Sequence, residues 1–417
     1  MRPSLPPPRR ARPLRAVGSC AAALMLTTVG GCGFITAETG PNTLTVADYY
    51  VDEPGNTALN SLLDTCGARA GVEIQRETMP RAQIVPKLLR DAAARSLPDL
   101  VVTDNPDLAS LASTGALLPL DDRIDTSAFY ESVLAAGSYQ DTLYGIAPGI
   151  NGLALFYDRE LFAEAGLEPP TTWDELRETA RRLTDGTRYG LALSAVSTEE
   201  GTWQFEPFLW GNGGELTDLD APESVEALTY WNSLFQDGSV STSALNWSQS
   251  DVTEQFIGGH AAMMVNGSWN LSHLATVDGP DYGIVPLPVP EAGGRPASPM
   301  GGEVWAVPDH GGGPKQEAAL AVLECVLDDD NMYEWAAQRT DVATKPAVAE
   351  RLVRQIPELA PFVASAPSAR ARTDVLGTRY PAVSAALNAA MQHVVTGGRT
   401  PEEALAAAQR EAETADE

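Results

Sequence analysis

Short apolar segments alternate with segments of helical periodicity in the part of the chain that follows residue 43. Residues 44–50, 72–77 and 100–103 have the length and composition of strands, and the last of them begins with an apolar run. Between them, residues 58–68 and 81–96 repeat apolar side chains at helical spacing. This alternation predicts parallel βαβ units, in which ligands bind beyond the carboxyl ends of the strands.

Polar and aromatic side chains follow the first and third predicted strands. Tyr49 and Tyr50 end the first strand, and Asp104 and Asn105 come directly after the third. Because these strand ends face the ligand in a sheet of this kind, we predict that all four residues lie on the rim of a binding cleft. The alternative is that each residue serves turn geometry or lies on the surface.

Residues 148–176 have the features of a chain that leaves one body and begins another. A proline-glycine pair precedes Asn151, and the alternation at residues 153–157 predicts a strand that enters the second body. Thr172 and Glu175 have the spacing of a capping box and predict the start of a helix. Asn151 would lie on the floor of the cleft, where its carboxamide can both donate to and accept from a ligand. The alternative is an asparagine that satisfies its own turn.

The remaining segments predict the rest of the second body and the closing part of the chain. A strand is expected at residues 189–193. Helices are expected at residues 222–235, 316–338, 380–398 and 401–413.

The first 31 residues have the composition of an export signal and not of a folded segment. Five arginines precede an apolar core at residues 16–29 that is too short to span a bilayer, and residues 29–32 resemble a lipobox. We therefore expect cleavage before Cys32, a lipid on its thiol and a flexible tether over residues 32–43. A plain secretory signal is the alternative, and Arg9-Arg10 leaves twin-arginine export open beside the general secretory route.

The acidic composition argues against two classes of partner. Since residues 1–31 contain five arginines and no acidic residue, the net charge falls from −28 for the whole chain to −33 after cleavage. Such a surface repels nucleic acid and anionic lipid head groups, so we expect the lipid on Cys32 to be the only attachment to a membrane.

The residues that usually carry metal or nucleophilic chemistry are not arranged for it. The four histidines are far apart without a zinc-binding spacing, and no G-x-S-x-G elbow is present. We therefore expect no metal, no cofactor and no catalytic residue. A pair of glycosidase carboxylates can be neither identified nor excluded in so acidic a chain.

Three long motifs resemble those of the sugar-binding lipoproteins of bacterial ABC importers, the family 1 extracellular solute-binding proteins that include maltose- and trehalose-binding proteins. The second motif spans residues 256–269, and the third occupies the tail from Tyr380 onward. The matching positions of the first motif are Pro148, Tyr157, Asp158, Arg159, Leu161, Phe162, Ala165, Gly166, Leu167 and residues 172–176. The resemblance extends over about residues 44–413.

The resemblance implies an α/β protein with the two-lobed periplasmic-binding-protein fold of type II. The lobes would close by a hinge around a carbohydrate, a di- or oligosaccharide, and the protein would deliver it to the permease subunits of an ABC importer without catalysis. It would act as a monomer, anchored by its lipid to the outer face of the cytoplasmic membrane. Three crossings would join the lobes, near residues 148–151, 281–285 and 309–314. The first lobe would comprise residues 44–148 and 285–309, and the second lobe residues 151–281 and 314–417.

Two further site residues follow from the resemblance. In that family the tryptophan that ends the second motif lies near the sugar, which indicates Trp269 here, and Tyr380 begins the tail motif. The family often has an arginine-proline pair some residues before that tyrosine. Because residues 372–374 lack the proline, we transfer no arginine contact to this chain.

Glycine turns indicate four more candidates. Trp210 directly precedes the glycine-rich turn at residues 211–214, and an aromatic ring there can stack on the C–H face of a sugar. Gly301 and Gly302 allow a ligand to approach the backbone closely in front of Glu303. Burial in the core is the alternative for the aromatic residues, and it is the one we favour for Trp203.

Two cysteines remain in the predicted mature chain besides the lipidation site. Cys66 and Cys325 each lie on the apolar face of a predicted helix, and two buried free thiols are one interpretation. The resemblance favours a disulfide between them, because some relatives have cysteines in comparable helices.

Two other functions stay open at this point. The chain could be a surface lipoprotein that hydrolyses glycosides with carboxylates in its cleft, or a receptor of the same fold for a peptide or an osmolyte. The sequence does not name the sugar, its linkage or the partner permease.

Overall fold

The computed structural model describes residue 40 and residues 42–414. The predicted export signal, Cys32 and most of the predicted tether lie outside these described residues. The strands are β1 Thr43–Asp48, β2 Glu73–Thr78, β3 Leu100–Asp104, β4 Ser138–Tyr139, β5 Thr142–Leu143, β6 Gly145–Ile146, β7 Gly149–Ile150, β8 Leu153–Asp158, β9 Met263–Gly267, β10 Tyr282–Val285, β11 Glu303–Ala306 and β12 Val342–Ala343. The helices are α1 Gly55–Ala70, α2 Arg81–Ala94, α3 Leu108–Ala112, α4 Glu131–Ala136, α5 Arg159–Ala165, α6 Trp173–Leu183, α7 Glu199–Gly211, α8 Pro222–Gln236, α9 Gln249–Ile257, α10 Leu271–Leu274, α11 Pro314–Val326, α12 Asp329–Arg339, α13 Pro346–Gln355, α14 Ala360–Ser365, α15 Tyr380–Val395 and α16 Pro401–Thr414.

A five-stranded sheet forms the centre of the first lobe, in the order β2-β1-β3-β11-β6. β1 pairs in parallel with β2 and β3, as the alternation of strands and helices predicts. β11 enters from a distant part of the chain and is antiparallel to β3 and β6. The register places Glu303 opposite Asp104, so the start of β11 lies at the same sheet edge as the carboxyl ends of β1 and β3.

A three-stranded antiparallel sheet, in the order β10-β8-β9, forms the centre of the second lobe. Side chains of β8 alternate between its two faces, as the period of two at residues 153–157 predicts. Leu153 and Leu155 join the core that contains α6, α7, α8 and α15. Phe156 lies on the opposite face and packs against Phe362 of α14. The strand expected at residues 189–193 makes only two parallel bridges to the segment of β9.

The predicted helix starts agree with the structure, but the long helix expected at residues 316–338 is wrong. The predicted capping box forms, since Thr172 accepts from the N–H of Glu175 at 3.3 Å and the Glu175 carboxylate accepts from the N–H of Thr172 at 3.1 Å. Thr400 and Glu403 make the same reciprocal pair at the start of α16, each bond 3.3 Å long. Residues 316–338 instead belong to two helices, α11 and α12. Asp328 separates them because its side chain accepts from the N–H of Asp330 and caps α12, where negative charge is favourable.

The strand pairings and helix contacts suggest where the chain passes between the lobes. β6 belongs to the first sheet and β8 to the second, with β7 and Asn151 between them. β10 also belongs to the second sheet, and Val289 pairs with Thr172. α11 and α12 pack on α1 of the first lobe. We propose lobe boundaries near residues 148–152, 290–301 and 366–376.

A disulfide between Cys66 and Cys325 joins α1 to α11. The predicted bridge therefore forms, and the two buried free thiols that were its alternative do not. The side-chain nitrogen of Asn331 donates to the carbonyl of Cys325 at 2.7 Å and holds the start of α12 beside the bridge. The bridge links α1, in the first sequence segment of the first lobe, to α11, in a later segment of the same lobe.

Replacing both Cys66 and Cys325 with serine should lower the free energy of unfolding by roughly 2–4 kcal/mol, because the bridge links residues 259 positions apart in the unfolded chain. Chemical denaturation of the protein without Cys32 measures this difference. Reductant should destabilise the parent protein and leave the double variant unchanged. Equal stability of parent and double variant would contradict the prediction.

Candidate functional site

The loops at the facing edges of the two sheets meet between the lobes. Asn151 pairs with Gly301 through two backbone hydrogen bonds, Asn151 N–H to Gly301 O at 3.1 Å and Gly301 N–H to Asn151 O at 2.9 Å. Across the lobes, the hydroxyl of Thr340 donates to the carbonyl of Ser268, just after β9, at 2.8 Å. The site therefore contains the carboxyl ends of β1, β3 and β9 and the segments that precede β8 and β11.

On the first-lobe side, Glu303 is held by a tyrosine and an arginine. The hydroxyl of Tyr49 donates to one carboxylate oxygen at 2.7 Å, and Arg339 donates to the other at 3.3 Å. Arg339 also donates to Asp341 at 2.8 Å, and its guanidinium carbon lies 4.5 Å from the ring centroid of Tyr50. The aromatic contact and the two ion pairs fix the guanidinium, so both carboxylates are oriented by one side chain.

Arg372 connects the two lobes. Its guanidinium donates to Asp104 at 3.2 Å on the first lobe and to Glu199 of α7 at 2.7 Å on the second. Asp104 also pairs with Arg81, whose side chain is exposed at the rim. The side chains of Arg372 and Asp104 are only 3% and 6% exposed, so their ion pair lies in an environment of low polarity, whereas Glu199 is 37% exposed.

On the second-lobe side, Tyr380 connects two glutamates. Its hydroxyl donates to Glu206 at 2.9 Å and also contacts Glu199, which in turn accepts from Ser384. Glu206 lies inside α7 and is fully buried. Burial raises the pKa of Glu206 to about 8, and the neighbouring Glu199 carboxylate adds to the rise. Glu206 therefore holds a proton near neutral pH and can donate a hydrogen bond.

The site carries more carboxylates than arginines. Burial and the neighbouring Asp104 raise the pKa of Asp107 to about 7. Burial also raises the pKa of Asp341, although Arg339 opposes that rise. The acidic residues of the site are Asp104, Asp107, Glu199, Glu206, Glu303 and Asp341, and the basic ones are Arg81, Arg339 and Arg372. Protonation of some of these carboxyl groups lowers the repulsion among them and allows all six to lie in one site.

Two tryptophans form an aromatic surface beside the glycine segment. Trp203 of α7 stacks on Trp269, with ring centroids 5.5 Å apart. A Cβ atom on Gly267 would lie 1.8 Å from the ring of Trp269, and one on Gly301 would lie 3.0 Å from the ring of Trp203. Both glycines are therefore required for the rings to approach the backbone, and Gly302 has a φ of +112°, which favours glycine.

The structure brings most of the predicted site residues together. Three connected groups contain them, centred on Glu303, on Arg372 and on the Trp203–Trp269 pair. The predicted residues in these groups are Tyr49, Tyr50, Asp104, Asn105, Asn151, Trp269, Gly301, Gly302, Glu303 and Tyr380. The amide nitrogen of Asn105 donates to the carbonyls of Met300 and Gly302, so it supports the glycine segment. Trp210 lies at the edge of the site, near Arg372, and Arg370 covers one face of its ring.

Sequence reasoning missed the charged residues that complete the site. Arg372 stands in the region where the family often has an arginine, and its ion pairs to Asp104 and Glu199 were not expected from the sequence. Trp203 lies in the core of the second lobe, as expected, and it also stacks on Trp269. Arg339 ends α12 and Asp341 follows two residues later, and no local pattern marks either residue. Only the packing of α12 places them beside Glu303.

Within residues 42–414, no helix is both long and apolar enough to cross a membrane. The described histidine, cysteine, aspartate and glutamate side chains form no group of three or more that could hold a metal ion. The described site is thus built from carboxylates, arginines, tyrosines and tryptophans.

A family model described as bacterial extracellular solute-binding protein matches residues 61–369. The chain belongs to this family. A putative binding protein of Brucella abortus is 24% identical over 391 residues, covering 89% of this chain and 92% of the relative. The galactooligosaccharide-binding protein of Bacillus subtilis is 25% identical and covers 80% of each chain.

A solved structure of this extracellular solute-binding family is similar over nearly the whole chain. The cyclic alpha-maltosyl-1,6-maltose binding protein from Arthrobacter globiformis has a TM-score of 0.78 and 27% identity, covering 90% of this chain and 99% of the other. This similarity confirms the predicted two-lobed α/β fold. The family and these relatives are binding proteins, and the family is extracytoplasmic.

The stability of the ligand-free solute-binding protein should fall as pH rises from about 5 to about 8, and Glu206→Gln should flatten that fall. The folded pKa of about 8 lies above the ordinary 4.5, so in this interval the folded state holds a proton that the unfolded state has lost. Thermal denaturation across pH measures the slope.

Glu402→Gln, on the exposed first turn of α16, is the matched control and should leave the slope unchanged. Asp107→Asn removes a second group with a raised pKa and should also flatten the profile. Parallel profiles for Glu206→Gln and the parent protein would contradict the assignment.

Proposed function

We propose that this protein captures a neutral di- or oligosaccharide between its lobes and delivers it to an ABC importer. The observation that carries the proposal is the site itself, in which a stacked tryptophan pair lies beside carboxylates contributed by both lobes. Relatives support the ligand class, since the B. subtilis relative is named for galactooligosaccharides and the A. globiformis structure for a cyclic maltosyl-maltose.

The chemistry of the site fits a sugar. A pyranose ring presents an apolar C–H face that packs on indole rings, and the Trp203–Trp269 pair offers such a surface next to Gly301. Hydroxyl groups around the ring donate to carboxylates and accept from arginines and tyrosines. We expect these hydroxyls to form hydrogen bonds with Glu303, Asp104 and Arg372, because a neighbouring side chain already orients each of the three.

The charge of the site favours a neutral ligand over a phosphorylated one. Each of the three arginines is paired with at least one carboxylate, and the six carboxylates exceed them in number. A phosphate would have to displace a carboxylate from an arginine and leave that carboxylate buried without a partner, which is costly. A sugar hydroxyl can insert into the same network without changing its charge.

The position of Arg372 indicates how a ligand could favour the closed arrangement of the lobes. Because its two partners lie on different lobes, opening the lobes must break at least one of its ion pairs. A ligand that bonds to Asp104 or Glu199 would stabilise the closed form and present it to the permease. Binding without turnover is the proposed role of the carboxylates, in line with the family.

A thermal-shift screen of the purified protein tests the function. Neutral galacto- or malto-oligosaccharides should raise the melting temperature, whereas sn-glycerol 3-phosphate and free phosphate should not, because of the excess of carboxylates. Product analysis in the same samples should show no hydrolysed oligosaccharide. A shift from phosphate esters or peptides alone, or turnover of glycosides, would overturn the proposal.

Asn151→Ala tests the site by calorimetric titration of the parent protein and the variant with a sugar that raises the melting temperature. Its backbone pairs with Gly301 independently of the side chain, so the variant should fold with nearly the parent melting temperature. Losing the carboxamide should weaken sugar binding at least tenfold, within the roughly 5- to 150-fold expected for a buried hydrogen-bond partner. Equal dissociation constants with a lower ligand-free melting temperature would assign Asn151 to structure alone.

We also propose that Cys32 anchors the protein to the outer face of the cytoplasmic membrane. Residues 29–32 resemble a lipobox, and an extracytoplasmic family requires export. Cys32→Ala should release the protein to the medium or leave it as uncleaved precursor, as membrane fractionation would show. Unchanged retention of the variant in the membrane would contradict lipid anchoring at this residue.

A further inference from the structure

Trp210 lies at the edge of the site with one ring face covered by an arginine. The indole belongs to the core of the second lobe. The guanidinium carbon of Arg370 lies over the ring, 4.6 Å from its centroid. Arg370 is held there by Glu215, to which it donates twice, at 3.0 and 2.7 Å.

The covering side chains are exposed, in contrast to the ring beneath them. The side chains of Arg370 and Glu215 are 36% and 45% exposed, whereas Trp210 is 7% exposed. Water screens an ion pair between such partly exposed side chains, so a ligand can displace it at small cost. Removing the guanidinium would uncover an aromatic face.

This edge is continuous with the proposed sugar site. A cavity of about 20 Å³ has Trp210, Glu215, Arg370 and Arg372 among its lining residues. The backbone of Arg370 also joins the glycine segment, since the N–H of Met300 donates to the carbonyl of Arg370 at 2.8 Å. The face of Trp210 is therefore adjacent to the place where the sugar would bind.

We propose that Trp210 is the platform of an additional sugar-ring subsite, and that the Arg370–Glu215 pair covers it and thereby limits the length of the bound oligosaccharide. This inference rests on the proposed function and names two specificity-determining residues for it. The guanidinium occupies the face on which the terminal ring of a longer ligand would stack. The backbone of Arg370 is fixed at both its N–H and its carbonyl, so the side chain alone moves to admit that ring.

Calorimetric titration with two ladders, malto- and galacto-oligosaccharides of two to five rings, tests the subsite. We define the length ratio as the affinity for the longer oligosaccharide divided by the affinity for the next shorter one. Arg370→Ala should raise this ratio about 2- to 12-fold at the step that reaches Trp210, the range expected for a stacking contact of 0.5–1.5 kcal/mol at 1.4 kcal/mol per tenfold. Affinity for the shortest bound member should not change.

Further variants separate the subsite from a general effect of charge. Glu215→Gln releases Arg370 without touching Trp210 and should raise the length ratio in the same direction. Trp210→Ala in the Arg370→Ala background should abolish the gain. Arg354→Ala removes an exposed arginine of α13 and should leave the ratio unchanged.

The outcomes are distinct. An unchanged ratio in both Arg370→Ala and Glu215→Gln, with sugar binding intact, would overturn the subsite alone. Weaker binding of the longer members would show that Arg370 contacts the ligand directly, which also overturns the covering role. Failure of every oligosaccharide to bind the unmodified protein at millimolar concentration would overturn the proposed function, and the subsite with it.

Discussion

The rest of the site depends on the two ion pairs of Arg372, which connect Asp104 of the first lobe to Glu199 of the second. The residue comes from the last segment that passes between the lobes, yet its side chain lies buried between Asp104 on the first sheet and Glu199 on α7. Without the guanidinium, Glu199 would lose this ion pair and Asp104 would keep only Arg81 as a charged partner. The relative position of the lobes and the charge balance of the site are thus coupled through one side chain.

The same constraint explains how an unusually acidic protein tolerates a cluster of carboxylates at its centre. Three arginines neutralise part of the cluster, and protonation neutralises another part, since the pKa values of Glu206 and Asp107 rise to about 8 and about 7. A network that mixes charged and neutral carboxyl groups offers both donors and acceptors. Sugar hydroxyl groups, which also donate and accept, match such a network better than a charged group does.

Aromatic rings and glycines give the site its shape. Trp269 packs on Gly267, and Trp203 reaches Gly301, so two glycines far apart in sequence determine where the indole pair can lie. Trp210 shows the other possibility, in which an aromatic face is covered by an arginine that a carboxylate holds in place. Trp203 and Trp210 are about equally buried, and their different neighbours are not recorded by any local sequence pattern.

The sequence by itself determined the βαβ start of the first lobe, the capped helices and the strand-end residues Tyr49, Tyr50, Asp104 and Asn105. These follow from local periodicity, from capping and from the rule that ligands bind at strand ends, all of which act over short stretches of chain. The tertiary structure alone decided that α11 and α12 pack on α1, that Arg339 and Asp341 join Glu303, and that Arg372 joins Asp104 to Glu199. Each of these contacts brings together residues far apart in the chain, and the partner of a buried charge is set by the packing of distant elements, not by its sequence neighbours.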